Sequence, residues 1–410
     1  MAEFFESFFS LAEYFFKCMF FYYEVLIVLV VLGFFLIKKS KLKYKNEIYM
    51  GAVFLILFCL SAFRYDVGVD YLYGYSPMWR SIISTPFSNW KSIGVEPGYV
   101  MLNYFTNIFT DHFQGIFIVT SFIIVSLMCL YIYKYFPDKL WGTFLIYGLG
   151  YYFVSMCFIR QAIALFIVVF ALMFARKKKI IPYMLLVLLA SSFHKSALLM
   201  IPFYFILQIK FTKKTLYIYS AITLLILTFS EEILSIVTKY IYGSYSLTGG
   251  SVFTNIGNSW YTVVPPIAYF AILFYFKDKL LKNDSGNNVL INCAFFSMFF
   301  YLIGLKHSTI DRLTMYFEPA VALAMTILIV ELRKERNENK EEKKARNRLF
   351  IVTLSIIFLS ISLNIRQLYS NGCGVVPYQS IFGNEEYQRY CQAIEENDQE
   401  FLSAYEKISL

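Results

Sequence analysis

Long apolar runs alternate with short polar segments from one end of the chain to the other. Most runs approach the roughly 20 residues that an α-helix needs to cross a bilayer, and none shows the strict alternation of a membrane β-barrel strand. The pattern therefore predicts an all-α polytopic membrane protein with about twelve transmembrane helices. The predicted spans are 20–37, 47–63, 114–133, 140–157, 160–175, 180–193, 196–210, 215–231, 259–276, 289–305, 313–331 and 349–365.

Basic residues are concentrated in six short loops between these runs, which hold 25 of the 37 Lys and Arg residues. Because cytoplasmic loops carry an excess of Lys and Arg, the six loops are predicted to be cytoplasmic, with both termini outside. The chain is 58% hydrophobic, whereas soluble domains are about 45–50% apolar. Its net charge of +9 therefore indicates contact with an anionic lipid leaflet and does not indicate nucleic-acid binding. The loops are 38–45, 134–139, 176–179, 210–214, 277–282 and 333–348.

The layout predicts a single membrane domain over residues 1–410, with no soluble domain long enough to fold alone. Residues 99–110 are apolar enough to suggest a further span, but counting them as one would place the basic loop 176–179 outside. We therefore interpret 99–110 as an interfacial or re-entrant helix on the outer side. The predicted external elements are 64–113, 232–258 and the tail 366–410, and the charged cytoplasmic loop is 332–348.

A second set of ionisable residues is predicted at the outer ends of the spans. Arginine binds phosphate oxygens in pairs and keeps its charge, so several arginines at a lipid interface suit a lipid-linked phosphate or diphosphate. A neighbouring carboxylate or histidine could take a proton from a sugar hydroxyl. Simpler explanations stay open, because an arginine can reach towards lipid headgroups and exposed ion pairs are common. The set comprises Arg64, Asp66, Asp70, Arg160, His194, Asp311 and Arg312.

Five short motifs occur in an order that resembles one protein family. They are Arg64-Tyr65-x-x-Gly68-x-Asp70-Tyr71, Glu96-Pro97-Gly98-Tyr99, Arg160-Gln161-x-Ile163-Ala164, His194-Lys195-Ser196-Ala197 and Asp311-Arg312-Leu313-x-x-Tyr316. With the predicted topology and a tail element, Val376-Pro377-Tyr378, they resemble the EpsG family, which comprises Wzy-type polysaccharide polymerases of bacterial envelopes. The resemblance extends over residues 20–385.

The resemblance implies a glycosyltransferase-type polymerase that joins undecaprenyl-diphosphate-linked oligosaccharide repeat units into a polysaccharide. It places the protein in the bacterial cytoplasmic membrane, with an active site that faces the periplasm or exterior. It also implies a fold similar to C-type membrane glycosyltransferases and no use of a nucleotide sugar. A chain-length-regulating co-polymerase is a candidate partner, and no metal or other cofactor is expected.

Roles for the motif residues follow as a hypothesis. Arg160 and Arg312, with Arg64, would bind the diphosphate leaving group and neutralise its developing charge. Asp70, His194 or Glu96 would remove the proton from the acceptor hydroxyl, and a single displacement would invert the anomeric configuration. Further substrate-binding candidates are Gln161, Lys195, Asp311, Tyr71 and Tyr316.

Two other functions fit a polytopic protein with these residues. A flippase for lipid-linked oligosaccharides would carry charged residues near mid-span, whereas the ionisable residues here are predicted at one end of the spans, which favours an enzyme. A ligase or O-acyltransferase that acts on envelope glycans at the outer face would use His and Arg equally well. In the tail, Cys373 and Cys391 could form a disulfide or remain free thiols, and the sequence leaves both states open.

Overall fold

The computed structural model describes residues 2–233, 258–338, 343–398 and 400–403. Most of the predicted external element 232–258 therefore lies outside the described residues, as do residues 339–342 of the charged loop. The described part of the chain is built from helices. Its only extended pairing is an isolated bridge between Arg64 and Ser380, which confirms the all-α prediction.

The chain divides into two compact units. The first comprises Met1–Ile167, Leu189–Lys195 and Ile361–Leu410, and the second comprises Val168–Leu188 and Ser196–Ser360. Three helices contribute residues to both: Ile159–Arg176, Ile180–Ser191 and Lys343–Ser370. The other α-helices of the first unit are Ala2–Gly33, Lys45–Ala62, Ser76–Ser84, Pro97–Asn107, Gln114–Tyr135, Lys139–Gly148, Tyr151–Cys157 and Glu385–Glu395. Those of the second are Met200–Ile206, Lys213–Thr228, Val264–Tyr275, Lys277–Asn283, Asn287–Gly304 and Glu318–Glu338.

Six helices among the described residues are long and apolar enough to cross a membrane, so the prediction of a multi-pass membrane protein is confirmed. Two bent helix pairs raise the number to eight if each pair is one span: Lys139–Gly148 with Tyr151–Cys157, and Ile310–Tyr316 with Glu318–Glu338. The count of twelve is not confirmed. The six long helices are Cys18–Lys39, Lys45–Ala62, Gln114–Tyr135, Ile159–Arg176, Asn287–Gly304 and Lys343–Ser370.

The difference in span count comes from helix length. Each remaining predicted span coincides with a helix, but these helices are short, and Ile180–Ser191 has only 12 residues. At 1.5 Å per residue such a helix is about 18 Å long, against a hydrocarbon core of about 30 Å. The apolar runs thus located the helices, and several of the described helices are shorter than a full span.

The segment 99–110 forms a helix, Pro97–Asn107, packed against Ser76–Ser84 and Gln114–Tyr135. Proline at its first position supplies a fixed φ where no backbone N–H is needed. One face of this helix, which includes Tyr99 and Asn103, is buried, while Met101 and Phe105 are exposed. The helix is confirmed, and its interfacial or re-entrant position stays a prediction.

The tail is part of the first unit and holds the segment 63–69 that follows the second long helix. Gly68 has φ +105°, and a Cβ there would collide with Met156 O, so this segment requires glycine. The turn that follows carries Asp70 and leads into Tyr71–Tyr75. Four backbone hydrogen bonds join segment and tail: Tyr65 N to Gln379 O (3.0 Å), Gly68 N to Gly374 O (2.8 Å), Val69 N to Cys373 O (3.0 Å) and Ile381 N to Phe63 O (2.9 Å).

In the second unit the helix Asn287–Gly304 lies at the centre and packs against Lys213–Thr228, Val264–Tyr275 and Glu318–Glu338. It is buried over most of its length, as expected for a helix that is apolar on all sides. Just beyond its end, the 3-10 segment Ser308–Tyr316 carries the Asp311-Arg312 motif.

Candidate active site

A buried carboxylate, Glu96, organises the candidate site in the first unit. Glu96 is 7% exposed and occupies the N-cap of the helix Pro97–Asn107, where the helix dipole favours negative charge. Gly98 N donates to Ser192 O at 2.7 Å, and a Cβ at Gly98 would lie equally close to that oxygen. The glycine of the Glu-Pro-Gly motif thus lets the start of this helix approach the segment that carries His194.

Three groups meet the Glu96 carboxylate. Arg160 Nη1 lies 2.5 Å from Oε2, and His194 Nδ1 lies 3.5 Å from Oε1. The backbone N–H of Lys195 donates to Oε1 at 3.3 Å. The side chains of Arg160 and His194 are 27% and 29% exposed, against 8% for Glu96. The Glu96 carboxylate is therefore buried, whereas the side chains of Arg160 and His194 that contact it remain partly accessible to solvent.

The pKa of Glu96 reflects opposing effects. Burial raises it, but the contact with His194 and the positive charge of Arg160 outweigh burial and lower the pKa to about 2. Glu96 is therefore ionised at neutral pH and is a poor proton acceptor there. Its geometry fits an anchor for the two basic side chains.

Tyr75 closes the buried side of this cluster. Its hydroxyl accepts a hydrogen bond from Arg160 N at 3.4 Å, and its ring packs edge-to-face on Tyr99 with centroids 5.8 Å apart. Burial raises the pKa of Tyr75 to about 12 even though the charge of Arg160 lowers it, so the phenol stays protonated. Tyr75 was not among the residues predicted for the site, because no local pattern sets it apart from the other tyrosines of the sequence.

Arg64 has a different environment from Arg160. It is 1% exposed, and burial lowers its pKa. Its guanidinium carbon lies 5.1 Å from the Phe117 ring centroid and 5.7 Å from that of Tyr71. These contacts fix the segment that the tail also holds, and they leave Arg64 facing the protein interior. Its hydrogen bonds run to Val67 O (2.9 Å), Met156 O (3.2 Å), Ser121 Oγ (3.4 Å) and Ser61 O.

The remaining candidates of the first unit are also mostly interior. The Tyr71 hydroxyl donates to Gln114 Oε1 at 2.5 Å, and the Tyr71 ring stacks on Phe117 at 4.0 Å. Gln161 is 5% exposed. Asp70 is half-buried, and its negative charge contributes to the raised pKa of Tyr75. The side chain of Lys195 is exposed.

The second unit carries the Asp311-Arg312 motif. Asn258 Nδ2 donates to Asp311 Oδ2 at 2.7 Å. Tyr316 is buried, with its hydroxyl 2.8 Å from Ser196 Oγ, whereas Arg312 is exposed. The structure thus brings Glu96, Arg160, His194 and Lys195 together in the first unit and places Asp311, Arg312 and Tyr316 in the second.

Both tail cysteines are free thiols in this structure. Cys373 is buried, and Cys391 Sγ lies 3.4 Å from His112 Nε2. Gln114 N donates to His112 Nδ1 at 3.0 Å, so a neutral His112 carries its proton on Nε2 and is not placed to take one from Cys391.

The comparisons with known proteins agree with the motifs. The EpsG family pattern matches residues 47–380, a range that includes all five motifs and the tail element. No curated protein and no solved structure matches the chain. Members of the matched family are Wzy-type polymerase-like proteins. Because the match covers most of the sequence, the chain belongs to the EpsG family.

Proposed function

We propose that this protein joins undecaprenyl-diphosphate-linked oligosaccharide repeat units into a polysaccharide on the outer face of the bacterial cytoplasmic membrane. Family membership supports a polymerase-type role in polysaccharide synthesis. One observation carries the chemistry: a buried, ionised Glu96 holds Arg160 and His194 side by side with both side chains accessible.

His194 is the proposed general base. Its Nδ1 faces Glu96, so a proton on Nδ1 is stabilised there and Nε2 keeps its lone pair. The separation of 3.5 Å is long for a hydrogen bond, but such contacts often tighten once substrate is bound. Glu96 is then a positioning residue that selects the tautomer of His194. Asp70 is the second candidate base, because it is half-buried near the same tyrosine that contacts Arg160.

In the proposed reaction, the hydroxyl of the acceptor sugar attacks the anomeric carbon of the donor glycan. The bond between that carbon and the diphosphate oxygen breaks, and the hydroxyl proton passes to His194 Nε2. Undecaprenyl diphosphate leaves with both electrons of the broken bond. A single displacement of this kind inverts the anomeric configuration.

Arg160 is the proposed diphosphate ligand of the first unit. A guanidinium has five N–H donors, and the contact with Glu96 uses Nη1. Charge-assisted bonds to phosphate oxygens would stabilise the negative charge that develops on the leaving group. Lys195 is exposed and is proposed as a further ligand in the same unit. For Arg312, the role in diphosphate binding stays the prediction made from the motifs. Arg64 would have to break its interior hydrogen bonds to take part.

The test is complementation of a strain that lacks the gene. Arg160→Ala should leave single repeat units on the lipid carrier, because the diphosphate loses its ligand. Arg389→Ala removes an exposed arginine outside the family match and should restore normal polymer. Normal polymer from the Arg160→Ala strain would refute the assignment. Persistent long carrier-linked polymer in the deletion strain would indicate a ligase, and absence of repeat units at the outer face would indicate a flippase.

A further inference from the structure

A groove in the second unit lies away from the residues assigned above. It has a volume of about 630 Å³ and lies between the end of the helix Val264–Tyr275 and the start of the helix Lys343–Ser370. Phe276, Ile351 and Val352 provide apolar walls. The dimensions and the apolar lining suit part of an acyl chain.

Cationic side chains surround one end of this groove. Lys343 and Lys344 line it and are exposed. Arg348 also lines it and bonds Glu335 Oε1 at 2.7 Å, while Lys279 contacts the other oxygen of the same carboxylate. Three cationic side chains therefore line the groove, and no acidic side chain is among its described lining residues. Even with Arg348 paired to Glu335, this end of the groove carries a net positive charge that suits an anion.

The position of the groove along the helix fits a bilayer boundary. Lys343–Ser370 is one of the six helices long and apolar enough to span, and the lysines are its first two residues. Beyond them, Phe350 and Ile351 are 65% and 61% exposed. Cationic residues at the end of an apolar, exposed helix surface are typical of contact with anionic headgroups.

We propose that this groove binds one anionic glycerophospholipid of the surrounding bilayer. Its phosphate would lie at Lys343 and Lys344, and an acyl chain would lie along the apolar walls. A neighbouring groove of about 640 Å³ shares Tyr275, but there Asp278 lies 2.9 Å from Lys277 and offsets its charge. The groove beside Lys343 is therefore the better anion site of the two.

The experiment is native mass spectrometry of the full-length protein in detergent. Phosphatidylglycerol and phosphatidylcholine with identical acyl chains are titrated in parallel. We expect one phosphatidylglycerol to bind selectively, and Lys343→Gln/Lys344→Gln to weaken its binding about 30-fold, because each lysine near an anionic headgroup contributes about 1 kcal/mol and about 1.4 kcal/mol is a factor of ten in affinity. Lys343→Arg/Lys344→Arg should retain binding. The charge-matched control Lys177→Gln/Lys179→Gln changes exposed lysines outside the groove and should bind as wild type does.

A second variant keeps the test decisive if the double glutamine variant fails to fold. Ile351→Trp fills the apolar wall without changing charge and should also lose the bound phosphatidylglycerol. Equal binding of the two lipids, or unchanged binding in both groove variants, would overturn the proposal. Retention of undecaprenyl phosphate in place of phosphatidylglycerol would assign the groove to the substrate carrier and would overturn it too. Detection of a protein dimer without bound lipid would assign this surface to contact with a second copy of the chain and would also overturn the proposal.

Discussion

Replacing Glu96 by glutamine tests the anchor on which the candidate site depends. The change keeps the size of the side chain and removes its charge, so Arg160 and the Nδ1 of His194 lose their anionic partner. The pKa of Glu96 is held at about 2, against an ordinary value of 4.5. At 1.36 kcal/mol per unit, the ionised carboxylate stabilises the folded state by about 3 kcal/mol. Breaking a buried ion pair by removing one partner costs about 3–5 kcal/mol, which agrees.

The sign of the pH dependence follows from the lowered pKa. The stabilisation from Glu96 is fully present above pH 4.5 and is lost as the pH falls towards 2, because the unfolded chain then binds the proton more tightly. Thermal unfolding of the purified protein should therefore begin several degrees lower for Glu96→Gln at neutral pH. The difference from wild type should shrink as the pH falls through that window.

The matched control is Glu47→Gln. Glu47 also accepts a hydrogen bond, from the Tyr133 hydroxyl at 2.8 Å, but it is fully exposed to solvent and should contribute little. In cells, Glu96→Gln should also reduce polymer by about 10²-fold or more, because His194 loses the partner that fixes its tautomer. A Glu96→Gln protein that unfolds and polymerises as wild type does would refute the anchor role.

Three further expectations follow from the packing of the first unit. Arg64→Met leaves three backbone carbonyls without their hydrogen-bond donor, at a cost of about 1–3 kcal/mol each. The amount of folded protein in the membrane should therefore fall. Abundant folded protein with carrier-linked single repeats would instead support a diphosphate-binding role. Asn371→Ala removes a side chain that forms hydrogen bonds with Val375 N, Val376 N and Val376 O, at a residue with φ +45°. The tail should then become several-fold more sensitive to limited proteolysis. Unchanged cleavage would contradict a role of Asn371 in stabilising the tail. Cys373 and Cys391 should react with maleimide equally with and without reductant after denaturation; labelling that requires reductant would reveal a disulfide.

The positions of the helices were predictable because an apolar run is a local property of the sequence. Each predicted span overlaps one helix or two consecutive helices, and the Glu-Pro-Gly motif marks the start of Pro97–Asn107. The number of spans is harder to predict from the sequence, because turns and bends shorten helices whose apolar runs continue. The bend of 50° between Lys139–Gly148 and Tyr151–Cys157 falls within one apolar run, at Gly150 with φ +83°.

The sequence alone could not distinguish the role of Arg64 from that of Arg160. Arg64 and Arg160 both stand near the ends of apolar runs, and a local pattern gives them the same interpretation. Their partners are distant: Met156 is 92 residues from Arg64, and Glu96 is 64 residues from Arg160. Only the fold shows that one arginine meets backbone carbonyls and the other meets a carboxylate. The motif order indicated that these residues belong together, and it did not indicate which of them remain accessible.

The placement of Arg160 is unfavourable for its own helix, and this favours a functional explanation. Arg160 is the second residue of Ile159–Arg176, where the positive end of the helix dipole repels a cation. Glu96, by contrast, stands at a helix N-cap that favours an anion, and it offsets the charge of Arg160. A structural role would be met more simply by a neutral residue at position 160, with no buried carboxylate opposite it. A partly exposed guanidinium that an anion holds in this position fits the proposed role of Arg160 as a ligand of the lipid-linked diphosphate.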